Sequence, residues 1–564
     1  MYIPIFLILI LSFVTKQTIC NERPVIGILT QEVYWSSFNN LKPSNYSYIA
    51  ASYVKAIEAS GGRVVPVFTN RTTEYYINIV RKINGILIPG GGSAFNISFG
   101  ISQSTNEIFH IAKHINNIND HFPILGICLG FELLLMASIN GKFPFSKCNA
   151  QNLNLPLTLV PEMEEKSVLF SNMPKDIRNI LLTKPVTANH HIKCMEKKNF
   201  TSMNLDKFWN SISLNKDKNN MTFISTIEAK NYPFVGLQFH PEKNAYEWEK
   251  NDPHIFLILI LSFVTKQTIC NERPVIGILT QEVNWSSFNN LKPSNYSYIA
   301  ASYIKAIEAS GGRVVPVFTN RTTEYYKDIV KKVNGILVPG GGSAFNISFG
   351  ISQSTNEIFH IAKNINDNGN QFPILGICLG FELLLVASIN GKNPLRSCDS
   401  NDMNLPLNLI PSMEEKSVLF KTMPKDVRNI LLTEPVTANH HINCITPQNF
   451  TSMKLDKFWN SITVNKDSNN LTFISIVEAK KYPFVGLQFH PEKNSYEWKR
   501  NDPHSWSAIH SARYFYDWFV NECRQNNHRY IKNNILENEL IYNYPTTYMK
   551  NLTSSFEQVY LFDG

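Results

Sequence analysis

The sequence predicts an α/β fold built twice: two tandem domains, each a mostly parallel sheet flanked by helices. Three observations carry that expectation. The stretch from Ile5 to Thr30 returns almost letter for letter at Ile255 to Thr280, and the offset of 250 then holds to the end of the first copy. Within each copy, short Val/Ile/Leu-rich runs alternate with segments of helical spacing. One of those runs passes straight into a Gly-x-Cys-x-Gly turn that opens a helix, at Gly126–Gly130 and again at Gly376–Gly380.

A period of 250 residues is long enough for each unit to close its own core, so the repeat means duplicated domains rather than a solenoid. The whole chain, at 564 residues, exceeds what one core normally organises. With 43% hydrophobic and 17% charged residues it has material for sizeable cores. Its formal charge of +8 is spread without a dense basic or aromatic-interleaved patch, so no nucleic-acid partner is expected.

Taken in order, the apolar run Tyr2 to Val14 precedes a polar turn at Asn21-Glu22-Arg23-Pro24 and reads as a signal peptide over 1–20, although a basic start is missing. The run is shorter than the roughly 18 residues of a spanning helix, so no stable membrane span is expected. Asn-x-Ser/Thr sequons at Asn45, Asn70, Asn96, Asn199 and Asn220 recur at Asn295, Asn320, Asn346, Asn449 and Asn470, with another at Asn551. They fit a glycoprotein of the secretory pathway, lysosomal or extracellular. The first domain then covers 21–254, a repeat of the leader covers 255–270, and the second domain covers 271–564.

After Asp502-Pro503-His504 the second copy continues into an amphipathic helix around Tyr514 to Val520, which the first copy lacks. Packing of Ile255 to Val264 in that helix's place, processing at a second signal sequence, and a mistaken joining of neighbouring genes are three readings of the internal leader.

Val25–Leu29, Arg63–Val67, Gly85–Ile88 and Pro123–Ile127 are continuous apolar runs, as buried parallel strands are. A helix over Tyr46–Ser60, stopped by Gly61-Gly62, joins the first two. Thr222–Ile227 and Pro233–Phe239 supply later strands.

Three elements carry chemistry. The turn at Cys128 and Cys378 predicts a nucleophile elbow: small residues two positions either side let the chain turn sharply, and a helix N-terminus favours thiolate. Phe239-His240-Pro241-Glu242 and its repeat at His490 and Glu492 place an imidazole at a strand end with a carboxylate to orient it. Pro89-Gly90-Gly91-Gly92, repeated at Pro339 to Gly342, offers backbone N–H donors beyond a third strand. A buried core cysteine, a structural histidine and an ordinary turn are the plainer readings of the three taken singly. Together they make thiolate, base and oxyanion donors, all at strand C-terminal ends.

Those motifs, in that order, resemble the class I glutamine amidotransferase-like superfamily, whose fold is flavodoxin-like. Thr187-Ala188-Asn189-His190-His191, Gln238 to Lys243, Tyr246-Glu247-Trp248 and Phe519-Val520-Asn521-Glu522 resemble, more narrowly, the γ-glutamyl hydrolase family. The likeness covers nearly all of both copies; the internal leader and the missing helix depart from it.

The resemblance implies a cysteine hydrolase cleaving γ-glutamyl amide bonds, above all of folate poly-γ-glutamates, by way of a γ-glutamyl thioester. Cys128, His240 and Glu242, and Cys378, His490 and Glu492, would be catalytic. Leu129 with Gly91 and Gly92, and Leu379 with Gly341 and Gly342, would form the oxyanion holes. His191, Glu132 and Gln238, with His441, Glu382 and Gln488, are assigned to the substrate, although Glu132 and Glu382 could simply brace the elbow. No cofactor is implied. The His-His pairs raise a metal reading, but no further ligands sit at zinc-like spacing. A small-molecule substrate is the expected partner, and homo-oligomers or pairing of the two copies within the chain are both open. The rivals are a glutaminase feeding ammonia to a synthetase, and a glycoprotein with one or both copies inert. Cys148 and Cys194, repeated as Cys398 and Cys444, allow one disulfide per copy.

Overall fold

The apolar runs of the first copy become the strands expected of them. The computed structural model describes residues 22–33, 46–93, 95–118, 120–171, 173–247, 271–283, 296–549 and 555–563. The leader, its internal copy, Trp248 and the sequons at Asn45, Asn295 and Asn551 lie outside these residues.

Strands β1 (Val25–Leu29), β2 (Arg63–Val67), β3 (Gly85–Ile88), β4 (Ile124–Ile127), β5 (Thr158–Leu159), β6 (Trp209–Lys216), β7 (Thr222–Ala229) and β8 (Phe234–Leu237) form one sheet in the order β2-β1-β3-β4-β8-β7-β6-β5. Pairing is parallel from β2 to β8 and antiparallel from β8 to β5. The antiparallel part follows from a tight turn between β6 and β7, where Asn220 takes φ 63° and its N–H reaches the Asp217 carbonyl. The second copy repeats the same order from Arg313–Val317 to Asn408–Leu409. Register sets Leu237 beside Ile127 and Gly126 beside Ile88, so the ends of β8, β4 and β3 lie side by side.

Helix α1 (Ala51–Ala59) starts later than the expected Tyr46, because Ser47–Tyr48 instead pairs antiparallel with Gln31–Glu32. It ends at Gly61, whose φ of +79° is readily adopted only by glycine. Helix α2 (Leu129–Ser138) is buried from Leu129 to Ala137. Each large apolar side chain hidden there contributes about 1.5–3 kcal/mol, which anchors the helix and with it the turn at Cys128.

The copies meet along α1 and its counterpart α3 (Ala301–Ala309). Lys55 Nζ lies 2.8 Å from Glu308, and Lys305 Nζ lies 2.9 Å from Glu58. Each pair is the other shifted by the repeat, so the copies dock about an approximate two-fold axis.

Helix α4 (Trp506–Arg524), which has no described counterpart in the first copy, is longer than the apolar stretch that announced it and is capped by Ser505, whose Oγ accepts from the Ala508 N–H. It packs on the second copy and touches the first where Ile509 meets Gly61. Under it Ile304, Ile307, Val314 and Leu375 are fully buried, whereas Val54, Ile57, Val64 and Leu125 of the first copy are only partly so. Among the described residues no helix is long and apolar enough to cross a membrane.

Candidate active site

Cys128 caps the N-terminus of α2 with φ 51° and ψ −102°, and Cys378 repeats this at 51° and −107°. A non-glycine residue held there costs about 1–3 kcal/mol and persists only where its surroundings fix it. The Cys128 N–H donates to the Leu237 carbonyl (2.7 Å), and its own carbonyl accepts from the Glu132 N–H (3.1 Å). A Cβ on Gly126 would stand 2.6 Å from the Gly130 carbonyl oxygen, and one on Gly130 would run into the Ile88 carbonyl. Both glycines of the turn are therefore steric requirements.

His240 follows β8, its N–H bonded to the Ala188 carbonyl at 2.8 Å. Its Nδ1 sits 2.7 Å from Glu242 Oε1, which fixes the ring, and Tyr53 Oη stands 3.4 Å from the same nitrogen. Tyr53 Oη also accepts from the Gly90 N–H (2.9 Å). A Cβ built on Gly90 would meet His240 Cε1 at 2.5 Å, Tyr53 Oη at 2.7 Å and Cys128 Cβ at 3.1 Å. Imidazole, phenol and thiol-bearing carbon thus converge on one glycine. Gly340 gathers His490, Tyr303 and Cys378 at 2.5, 2.8 and 3.1 Å.

At each centre burial and the partner carboxylate pull the imidazole in opposite directions. Burial opposes charge on His240, but Glu242 and the Cys128 sulfur outweigh it and raise the imidazole from 6.5 to about 10. At His490 burial prevails over Glu492, helped by the charges of Lys493 and His440, and the value falls. Burial also pushes the Cys378 thiol well up, with Glu382 and Glu492 adding and the Leu379 N–H opposing. Glu132 and Glu382 are raised by burial to about 8, each accepting from the amide of Gln238 (3.2 Å) or Gln488 (3.1 Å). Tyr516 on α4 donates to Glu492 Oε2 at 3.2 Å. The matching Glu242 Oε2 is buried and has no hydrogen-bond partner among the described residues.

A ribbon of Ser146–Leu155 and Thr187–Cys194 walls the first site, stapled by the Cys148–Cys194 disulfide; Cys398–Cys444 does the same in the second. His191 packs on Phe223 and the disulfide, with Nδ1 3.0 Å from the Lys193 carbonyl, and burial lowers it to about 4. His441 is lowered to about 3 for the same reason. Cys148, Cys194 and His191 crowd together as metal ligands would, but both sulfurs are spent on each other.

A cleft of about 270 Å³ brings Gly91, Gly92, Cys128, Leu129, Glu132 and His191 to one surface. Gln238 is fully buried and reaches the cleft through Glu132. Tyr53, Lys193 and Tyr516 were not singled out by sequence reasoning, and His190 was weighed there only as half of a metal-like His-His pair. His190, its ring 5.8 Å from that of His240, lines the cleft beside the expected His191. Tyr53 lies on a helix with no motif, and only the copy-specific helix α4 hinted at Tyr516.

The sequence model of the peptidase C26 family matches residues 24–242 and again 274–492. Curated relatives include γ-glutamyl hydrolase B of Dictyostelium discoideum, 36% identical over 312 residues, covering 55% of this chain and 88% of the relative. The γ-glutamyl hydrolase of Homo sapiens is 39% identical over 297 residues, covering 52% and 90%. γ-Glutamyl hydrolase 1 of Arabidopsis thaliana is 35% identical over 294 residues, covering 52% and 83%.

Proposed function

This chain belongs to the peptidase C26 family twice over, and from that membership we propose a cysteine hydrolase of γ-glutamyl bonds with two catalytic centres, acting on folate poly-γ-glutamates. The observation that carries the reading is the meeting of Cys128 and His240 around Gly90, repeated by Cys378 and His490 around Gly340.

In the proposed cycle the Cys128 thiolate attacks the γ-amide carbonyl. The tetrahedral oxyanion is received by backbone N–H groups of Leu129 and the Gly91-Gly92 turn. His240, oriented by Glu242, protonates the departing amine and then draws a proton from water, which hydrolyses the γ-glutamyl thioester. Cys378, Leu379, the Gly341-Gly342 turn, His490 and Glu492 take the same roles in the second copy. His191 and Glu132, with His441 and Glu382, face the substrate, and Gln238 and Gln488 hold those glutamates in place.

The domain limits proposed are 21–254 and 271–564, joined by the internal leader. The disulfides in both copies support passage through an oxidising compartment, to the lysosome or outside the cell. The test is the Cys128→Ala, Cys378→Ala double variant, which should remain folded and release no glutamate from a γ-glutamyl substrate. Unchanged turnover would refute the reading, and ammonia release from free glutamine as the main activity would favour a glutaminase instead.

A further inference from the structure

The two clefts are alike where the chemistry is placed and unlike at one wall. In the first copy that wall carries Lys193, which lines the same cleft as Cys128. Its ammonium lies 3.6 Å from the centre of the Phe95 ring and 5.2 Å from that of Phe143. The rings hold the cation by their faces without consuming its N–H donors. No carboxylate pairs with it among the described residues, yet its charge is felt at Glu132, where it works against the burial that raises that acid. In the second copy the position is Asn443, Phe143 becomes Asn393, and Glu382 is shifted by burial and Gln488 alone.

A second change points the same way. One neighbour of His190 is Asn152, whose Oδ1 stands 3.0 Å from the His190 Nδ1. At His440 the position of Asn152 is Asp402, at 2.9 Å, and Arg500 spends its charge on that carboxylate at 2.7 Å. Asp502, 2.6 Å from His440, repeats Asp252 of the first copy, and both Asp252 and Lys250, the counterpart of Arg500, lie outside the described residues. Replacing Lys193 by Asn and Asn152 by Asp each makes the second wall more negative by one charge, beside an otherwise repeated nucleophile.

We propose that Lys193 forms a carboxylate-binding subsite that only the first copy possesses, so that the two centres divide γ-glutamyl substrates by charge. The centre at Cys128 takes the anionic ones, and the centre at Cys378 takes those with fewer carboxylates. The inference rests on the hydrolase reading above and adds the substrate class of each centre. An ammonium on aromatic faces beside a buried thiol suits a carboxylate, because the ion pair forms where water is partly excluded.

The test uses the full chain in two backgrounds: C378A, which leaves the first centre, and C128A, which leaves the second. Each is assayed with the carboxylate and the carboxamide form of one γ-glutamyl dipeptide. The C378A protein should prefer the carboxylate form by about fivefold in kcat/KM, more at low salt than at high. Adding K193N should abolish that preference through KM with kcat little changed, and N443K should create it in the C128A protein. An acid-to-amide ratio unmoved by K193N, with kcat intact, would overturn the subsite while leaving the hydrolase standing. Hydrolysis by the C128A/C378A protein would instead overturn the hydrolase reading and the subsite with it.

Discussion

Tyr516, on the buried face of α4, donates its hydroxyl to Glu492 Oε2 at 3.2 Å, while the repeated carboxylate Glu242 has that oxygen buried without a partner among the described residues. The same catalytic geometry therefore stands in two different second surroundings. Removing the Tyr516 hydroxyl while keeping its ring isolates the effect: Y516F in a C128A background should lower kcat about three- to tenfold, as loss of one ordinary hydrogen bond would, with KM little changed. Steady-state kinetics together with a melting curve check it, since a packing role alone would move Tm and leave kcat.

The buried acids Glu132 and Glu382 give a pH dependence of stability. Each has a folded value of about 8 against 4.5 for an ordinary glutamate. The stability they confer is fully present below 4.5 and is lost as pH rises towards 8. E132Q and E382Q should remove that loss, stabilising the protein at pH 8 by on the order of 2 kcal/mol or more each, with the gain shrinking towards pH 4.5. Denaturant unfolding at the two pH values measures it.

Each disulfide closes a sequence separation of 46 residues and staples the ribbon that presents His191 or His441. On loop entropy alone, replacing Cys148 and Cys194 together by Ala should cost about 4 kcal/mol. Because the ribbon forms one wall of the cleft, KM at the first centre should rise as well. Calorimetry and kinetics in the C378A background check both.

The reciprocal pairs Lys55–Glu308 and Lys305–Glu58 join the copies with half-buried or buried side chains. A double-mutant cycle across Lys55 and Glu308 should give a coupling of about 0.5–1 kcal/mol that weakens with salt. Thermal unfolding of the single and double charge reversals is the measurement.

Much of this was legible in the sequence because each signal had a local cause. The strands of the sheet announced themselves as unbroken apolar runs, and Gly126 and Gly130 marked the elbow because side chains there would strike the backbone. His240 and Glu242 were readable because two residues separate a ring from the carboxylate that orients it. The rest depended on contacts between distant parts of the chain. Nothing near Tyr53 or Tyr516 in sequence says that either meets a catalytic partner, at separations of 187 and 24 residues. The start of α1 was misplaced because Ser47–Tyr48 finds strand partners in Gln31–Glu32, a pairing that helical periodicity cannot foresee.

Both sulfurs at the strand-to-helix turns should become acylated during turnover. The most direct test is to quench the protein in acid during turnover of a γ-glutamyl substrate and map the digested peptides by mass. A γ-glutamyl group is expected on the peptides containing Cys128 and Cys378. Its absence from both, or its presence on another residue, under conditions where product is forming, would contradict it.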